Sequence, residues 1–161
     1  MNGLSRTANK KFHARKGAIS NATLIGFDFS RSDMRKCEFN NCIFVNSNFQ
    51  DSDFTLAKMT NCDFTDTNLE GVTFNNADLI CCTFVNANMK GVVLLDALID
   101  RGDFTGAVLA DSIMDAAVFK NSNLLDADFT NTRTCGVDFS SNMNITSETI
   151  LSQMRDYEYS Y

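Results

Sequence analysis

The sequence predicts a solenoid, on two observations. From Leu24 to Phe139 every fifth residue is large and apolar, through Phe29, Met34, Phe39, Phe44, Phe49, Phe54 and onward, with Thr134 the one exception in twenty-four positions. Two residues before each stands a small or medium residue, as in Cys42, Ser47, Ser52, Ala57, Cys62, Thr67 and Val72, with Phe27 the exception. Neither an α-helix (period 3.6) nor a simple strand (period 2) makes a five-residue apolar repeat. The phase never slips, and a fixed short period over most of a chain marks a repeat architecture.

The remaining positions of the repeat follow the same logic. Large and small inward residues alternate, as close packing of a narrow interior requires. Between them stands Asp or Asn very often, for example Asp28, Asn48, Asp63, Asn88 and Asp128. Two residues after the large one, Asn, Asp and Gly predominate, which suits a turn.

Units such as Ala77-Asp78-Leu79, Ala127-Asp128-Phe129, Ser52-Asp53-Phe54, Thr67-Asn68-Leu69 and Cys62-Asp63-Phe64 resemble the A-(D/N)-(L/F)-X-X unit of pentapeptide-repeat proteins. The resemblance covers about three quarters of the chain. It implies an all-β solenoid: a right-handed quadrilateral β-helix with four pentapeptides per coil, hence about six coils and a rod ~29 Å long at ~4.8 Å per coil. Residues twenty apart then share a column. The family is defined by fold and its members serve many roles, so the resemblance identifies a scaffold more than an activity.

Three segments are expected. Residues 1–21 form a leader or cap, with Arg6, Lys10, Lys11, Arg15 and Lys16 and no acid. It reads either as a solvated end or as an anion-binding or export segment. Residues 22–141 form the β-helix, with seventeen acids and eight bases, a net charge of −9. Residues 142–161 form a tail. There Thr146-Ser147-Glu148 precedes a predicted helix to about Tyr157 with Ile150, Leu151, Met154, Tyr157 and Tyr161 near one face. That helix reads as a cap on the last coil or as a dimerisation element, since open coil ends need covering. Phe27 and Thr134 break the repeat near the two ends; Phe27 is expected to seal the first mouth.

Composition limits the chemistry. The six cysteines include Cys37, Cys42, Cys62 and Cys82 in the small inward slot, where thiols act as apolar filler, and Cys81 is the best candidate for an exposed thiol. No CxxC pair occurs and His13 is the single histidine. There is no phosphate-cradling glycine motif or nucleophile elbow. No catalytic residue, metal or cofactor is expected. No apolar run reaches membrane-spanning length and no signal peptide is evident, so a cytoplasmic location is the default, with delivery as a secreted effector also compatible.

Function must then reside on the outer surface. The residue before each large one faces solvent and is mostly polar, but it turns apolar at Val93, Leu98, Val108, Ile113 and Val118. This patch reads as a protein interface or as plain β-formers on a pleated surface. A second stripe, Ile25, Val45, Val85 and Leu125 with Thr65 and Thr105 between, reads as cover for a terminal segment or as a β-former ladder. The expected role is a non-enzymatic protein-binding or scaffold rod with an unidentified protein partner, with homodimerisation through the C-terminal helix as a further expectation, and without direct nucleic-acid binding. The alternative comes from similarity to the quinolone-resistance pentapeptide proteins, rods that occupy the DNA groove of type II topoisomerases such as gyrase. A ~29 Å duplex carries about 17 charges, so this rod offers about half the charge density of DNA.

Overall fold

The computed structural model describes residues 17–145 and the two-residue strand Met154–Arg155. Six short strands stack in chain order as one parallel sheet: β1 (Ala18–Ser20), β2 (Glu38–Asn40), β3 (Lys58–Thr60), β4 (Asp78–Ile80), β5 (Leu98–Asp100) and β6 (Val118–Lys120). Each residue pairs with the one twenty ahead, as in Phe39 with Met59 and Leu79 with Ile99. Bridges such as Thr23 to Ile43, Asp28 to Asn48 and Asp33 to Asp53 continue the same register around the other three sides. The molecule is therefore a four-sided parallel solenoid of about five turns. We number its faces in chain order, the first carrying β1–β6 and the second following it around the coil. The first rung lies upstream of Ala22, in the segment assigned to the leader, because Ile19 occupies the large inward slot and packs against the core.

Each position of the repeat has an observable cause. The large residues are buried throughout the middle of the rod; Phe64, Phe74, Phe84 and Phe104 are fully inaccessible. Phe44, Phe64, Phe84 and Phe104 form one stack, with successive ring centroids 5.0, 5.2 and 4.9 Å apart. Phe27 is half-buried and stacks on Phe29 at 5.8 Å, in the first coil, where it was expected to cover the mouth. Thr134 is half-buried near the other end.

The small slot does more than leave room. A hydroxyl there donates to the carbonyl twenty-three residues earlier: Ser47 to Leu24 (2.8 Å), Ser52 to Phe29 (2.8 Å), Thr67 to Phe44 (3.0 Å) and Thr132 to Leu109 (3.0 Å). The thiols of Cys42, Cys62 and Cys82 reach the equivalent carbonyls of Ile19, Phe39 and Met59 at 3.4 to 3.6 Å. Buried polar atoms need such partners, which explains why Ser, Thr and Cys share the slot with Ala and Val.

The Asp or Asn position is set by a local bond. Its Oδ1 accepts the amide N–H two residues ahead, as Asp53 does from Thr55 (2.8 Å), Asp63 from Thr65 (2.9 Å) and Asn68 from Glu70 (3.2 Å). The bond from Ser30 holds the Asp28 carboxyl below the usual carboxylate range, and the bond from Ser140 does the same for Asp138. Asn adds a second contact: Nδ2 of Asn48, Asn68 and Asn88 donates at 3.1 Å to the residue one coil earlier, making a ladder on the third face.

From Asn21 to Gly136 corners recur every fifth residue, each in the left-handed region. Asn and Asp hold many of these positions, and Gly holds five of them. Leu56 is an exception, with φ of +62° and its side chain exposed. A β-carbon makes this region cost roughly 1–2 kcal/mol, and Asn recovers part of that by local hydrogen bonding. Leu56→Asn is expected to stabilise the protein by about 0.5–1 kcal/mol, read as a higher urea midpoint with unchanged slope.

Beyond the sixth rung the order changes. β7 (Thr132–Arg133) pairs in parallel with β8 (Met154–Arg155), twenty-two residues on rather than twenty. Of the expected C-terminal helix only this piece falls among the described residues, and there it is strand, not helix. The physical reason is the row of unpaired backbone groups that a last coil presents, which a strand satisfies directly. Ile150, Leu151, Tyr157 and Tyr161 lie outside the described residues, as do the capping residues from Thr146 to Glu148.

Candidate functional site: the outer faces

With the interior filled by side chains, the chemistry available to a partner is on the four outer faces. The fourth face carries Val93 bridged to Ile113, and the first carries Leu98 bridged to Val118. These faces adjoin at the corner after Leu95, so both pairs belong to one surface. Val118 is 39% and Val108 37% exposed, while Val93, Leu98 and Ile113 are half-buried. Val108 stands apart on the third face, between Asn88 and Asp128 in its column. The structure thus joins four of the five predicted residues and separates the fifth. Leu95, half-buried at the corner between Val93 and Leu98, completes the patch. The repeat alone does not join it to the patch, because it stands in a different outward column from Val93 and Leu98 and meets them only at the corner.

The second stripe is equally well formed. It runs the length of the second face, where Ile25 and Leu125 are 46% and 42% exposed and Val45 and Val85 half-buried. Exposed Ile43 and Met143 lie beside it.

Charge is segregated around the rod. Counting each corner residue with the face it closes, over residues 22–141, the first and fourth faces have net charges of −1 each, the third −3 and the second −4. The second face holds Asp63, Asp66, Asp103 and Asp126 and no base. Among the described residues, ion pairs serve the other three faces: Arg35 with Asp33 (2.8 Å), Arg133 with Asp115 (2.6 Å), Arg101 with Asp100 (3.2 Å), Lys90 with Asp111 (3.6 Å) and Arg31 with Asp51 (3.7 Å).

The thiols divide by position. Cys37, Cys42, Cys62 and Cys82 are buried, Cys81 is half-buried and Cys135 is exposed. The exposed thiol is therefore Cys135 rather than Cys81. It follows the large slot on the fourth face and points outward, whereas Cys81 is partly covered at its corner. Burial pushes the Cys42 thiol up, and the hydrogen bond with Cys62, together with burial, pushes Cys82 up further. Among the described residues no group of three or more His, Cys, Asp or Glu side chains is placed to hold a metal ion, and no helix is long and apolar enough to cross a membrane. A surface hollow of about 430 Å³ lies at the first-coil end, lined by Gly17, Ala18, Lys36, Glu38, Leu56 and Lys58.

A four-sided parallel coil with a five-residue repeat and a Phe/Leu interior defines a class of solenoid whose working surface is its exterior. The chain belongs to the pentapeptide repeat family: the model for pentapeptide repeats matches residues 19–51, 57–94 and 103–140 in eight copies. Among solved structures, it is similar to HetL, a pentapeptide repeat protein involved in heterocyst differentiation regulation in the cyanobacterium Nostoc sp. strain PCC 7120. The identity is 19%, over 84% of this chain and 77% of that one, with a TM-score of 0.54. QnrB1, a plasmid-mediated fluoroquinolone resistance protein, aligns at 15% identity over 78% of this chain and 71% of its own, with a TM-score of 0.40. A pentapeptide repeat protein of the Arabidopsis thaliana thylakoid lumen aligns at 22% identity over 81% of this chain and 88% of its own, with a TM-score of 0.34. No curated protein sequence matches the chain. These likenesses concern the fold.

Proposed function

We propose that the protein is a non-enzymatic binding rod that presents a flat, stiff surface to another protein, and that Val93, Leu95, Leu98, Ile113 and Val118 are the centre of that surface. One observation carries the reading: two apolar rung pairs meet across a corner in the later coils, where the same columns are polar or charged in the earlier ones. On the first face, after Ala18 in the first coil, the column runs Glu38, Lys58, Asp78 before Leu98 and Val118; on the fourth it runs Asp33, Asp53, Thr73 before Val93 and Ile113. β propensity alone would not confine the apolar residues to one stretch of both columns. A clustered apolar patch on otherwise polar faces marks an interaction site.

A second reading rests on the segregated charge. The second and third faces together carry −7 of the net −9 of residues 22–141, and an acidic surface of that kind suits a basic, nucleic-acid-binding partner such as gyrase.

The test is retention of proteins from an extract of the source cell on immobilised wild-type protein and on Ile113→Asp. The variant places a charge in the apolar contact and is expected to lose the specific partner at least tenfold while its unfolding midpoint is unchanged. Equal retention by both removes the patch from the account. Inhibition of gyrase supercoiling that is equal for both proteins favours the second reading.

A further inference from the structure

Among the described residues the second face is open, with an outward column of Ile25, Val45, Val85 and Leu125 in which Thr65 and Thr105 alternate. Four of the seven exposed large apolar side chains among the described residues, Ile25, Ile43, Leu125 and Met143, lie on it. Beside them stand Asp63, Asp66, Asp103 and Asp126, and among the described residues no base forms an ion pair with any of the four. Their occupied contacts are uncharged: Thr65 and Thr105 donate to Asp63 and Asp103 at 2.6 Å, and Asn86 donates to Asp66 at 3.3 Å.

We infer that this face is the docking site of the chain's own residues 1–16, which lie outside the described residues. Charge complementarity selects this occupant. Residues 1–16 hold five bases and no acid, together with Leu4 and Phe12, so they match both the acidic and the apolar columns. Position agrees with charge. The segment joins the rod at Gly17, in the first coil, and the second face begins one corner later at Ala22. Fully extended, the seven residues from Gly17 back to Lys10 span about 23–25 Å. Asp66 lies two rungs and Asp103 four rungs along the rod, at about 10 and 19 Å. The second face also lies roughly 10 Å around the coil from Gly17, so the direct distances are about 14 and 22 Å; Lys10 and Lys11 with their side chains reach both, and Arg6 reaches the last rung. The third face, though acidic, carries Arg31 and Lys90 and pairs them with its own acids. This site is separate from the Val93–Ile113 patch and stands or falls without it.

The test is zero-length carbodiimide cross-linking of the full chain, with peptide mapping of lysine–carboxylate links. An equimolar mixture of ¹⁴N and ¹⁵N protein separates links within a chain from links between chains. The inference predicts that within-chain links join Lys10 and Lys11 to Asp63, Asp66, Asp103 or Asp126 at least fivefold more often than to Asp51, Glu70 or Asp111. Ile25→Ser/Leu125→Ser, which leaves every charge in place, is expected to lower that ratio at least threefold. Links spread evenly over the faces, links chiefly between chains, an unchanged ratio in the double variant, or no links at all each overturn it.

Discussion

Phe64→Ala is expected to cost about 3–5 kcal/mol of unfolding free energy, and Phe84→Ala the same. Both rings are fully buried in mid-rod and nearly parallel to each other, at 5.2 Å and 5°. Each also stacks on a further ring, Phe44 or Phe104. Truncation leaves a void with a ring above and below it, and the β-ladder fixes the coil spacing, so the gap cannot close by collapse. In a solenoid each coil contacts only its neighbours, so one mid-rod deletion weakens two interfaces together. Phe129→Ala, close to the half-buried Phe139 and the last coil, should cost less. Urea unfolding of the three variants measures the ordering; equal costs along the rod would mean the coils do not couple in this way.

Gly102→Ala is expected to destabilise by about 1–3 kcal/mol, against the usual sign for such a change. Gly102 is not in the left-handed region, and Ala at an ordinary φ lowers the entropy of the unfolded chain by about 0.4–1 kcal/mol. Here the added Cβ would lie 2.7 Å from Cε2 of Phe104 and 3.3 Å from Cγ2 of Ile99. The Phe104 ring has no room to withdraw. It stacks on Phe84 at 4.9 Å and packs against Phe119 at 5.7 Å. Overpacking therefore exceeds the entropic gain. Adding Phe104→Leu should recover part of the loss in the Gly102→Ala background, because the smaller side chain vacates the position the Cβ needs.

The inward pattern was legible because burial imposes it residue by residue. The large slot from Phe29 to Phe129 is a column of side chains with nowhere else to go, and the phase alone locates it. The corners were legible for a similar reason, since left-handed backbone selects Asn, Asp and Gly locally. What the sequence hid depends on contacts twenty or more residues away. The hydroxyls of Ser52 and Thr67 looked like small filler, and only the coil shows each meeting a carbonyl twenty-three residues earlier. Ile19 was missed because the large slot before it holds Ala14 amid the basic run Lys10, Lys11, Arg15 and Lys16, which reads as leader rather than as repeat. The helical reading of the tail followed amphipathic spacing around Met154, and pairing with the open edge at Thr132–Arg133 prevailed there. Of the candidate surface, the columns were readable once the period was known. The corner that adds Leu95, and the separation of Val108, required the faces themselves.

Every inference drawn from a face rests on the assignment of inward and outward positions, and the native thiols report on it without any substitution. Labelling of the folded protein with a small thiol reagent, followed by mass spectrometry of each cysteine over time, tests it most directly. The account predicts that Cys135 reacts first and half-buried Cys81 more slowly, while Cys37, Cys42, Cys62 and Cys82 stay protected until urea unfolds the chain. Labelling of Cys42, Cys62 and Cys82 in native protein at the rate of Cys135 would place that column outside, reverse the faces and contradict the structure described.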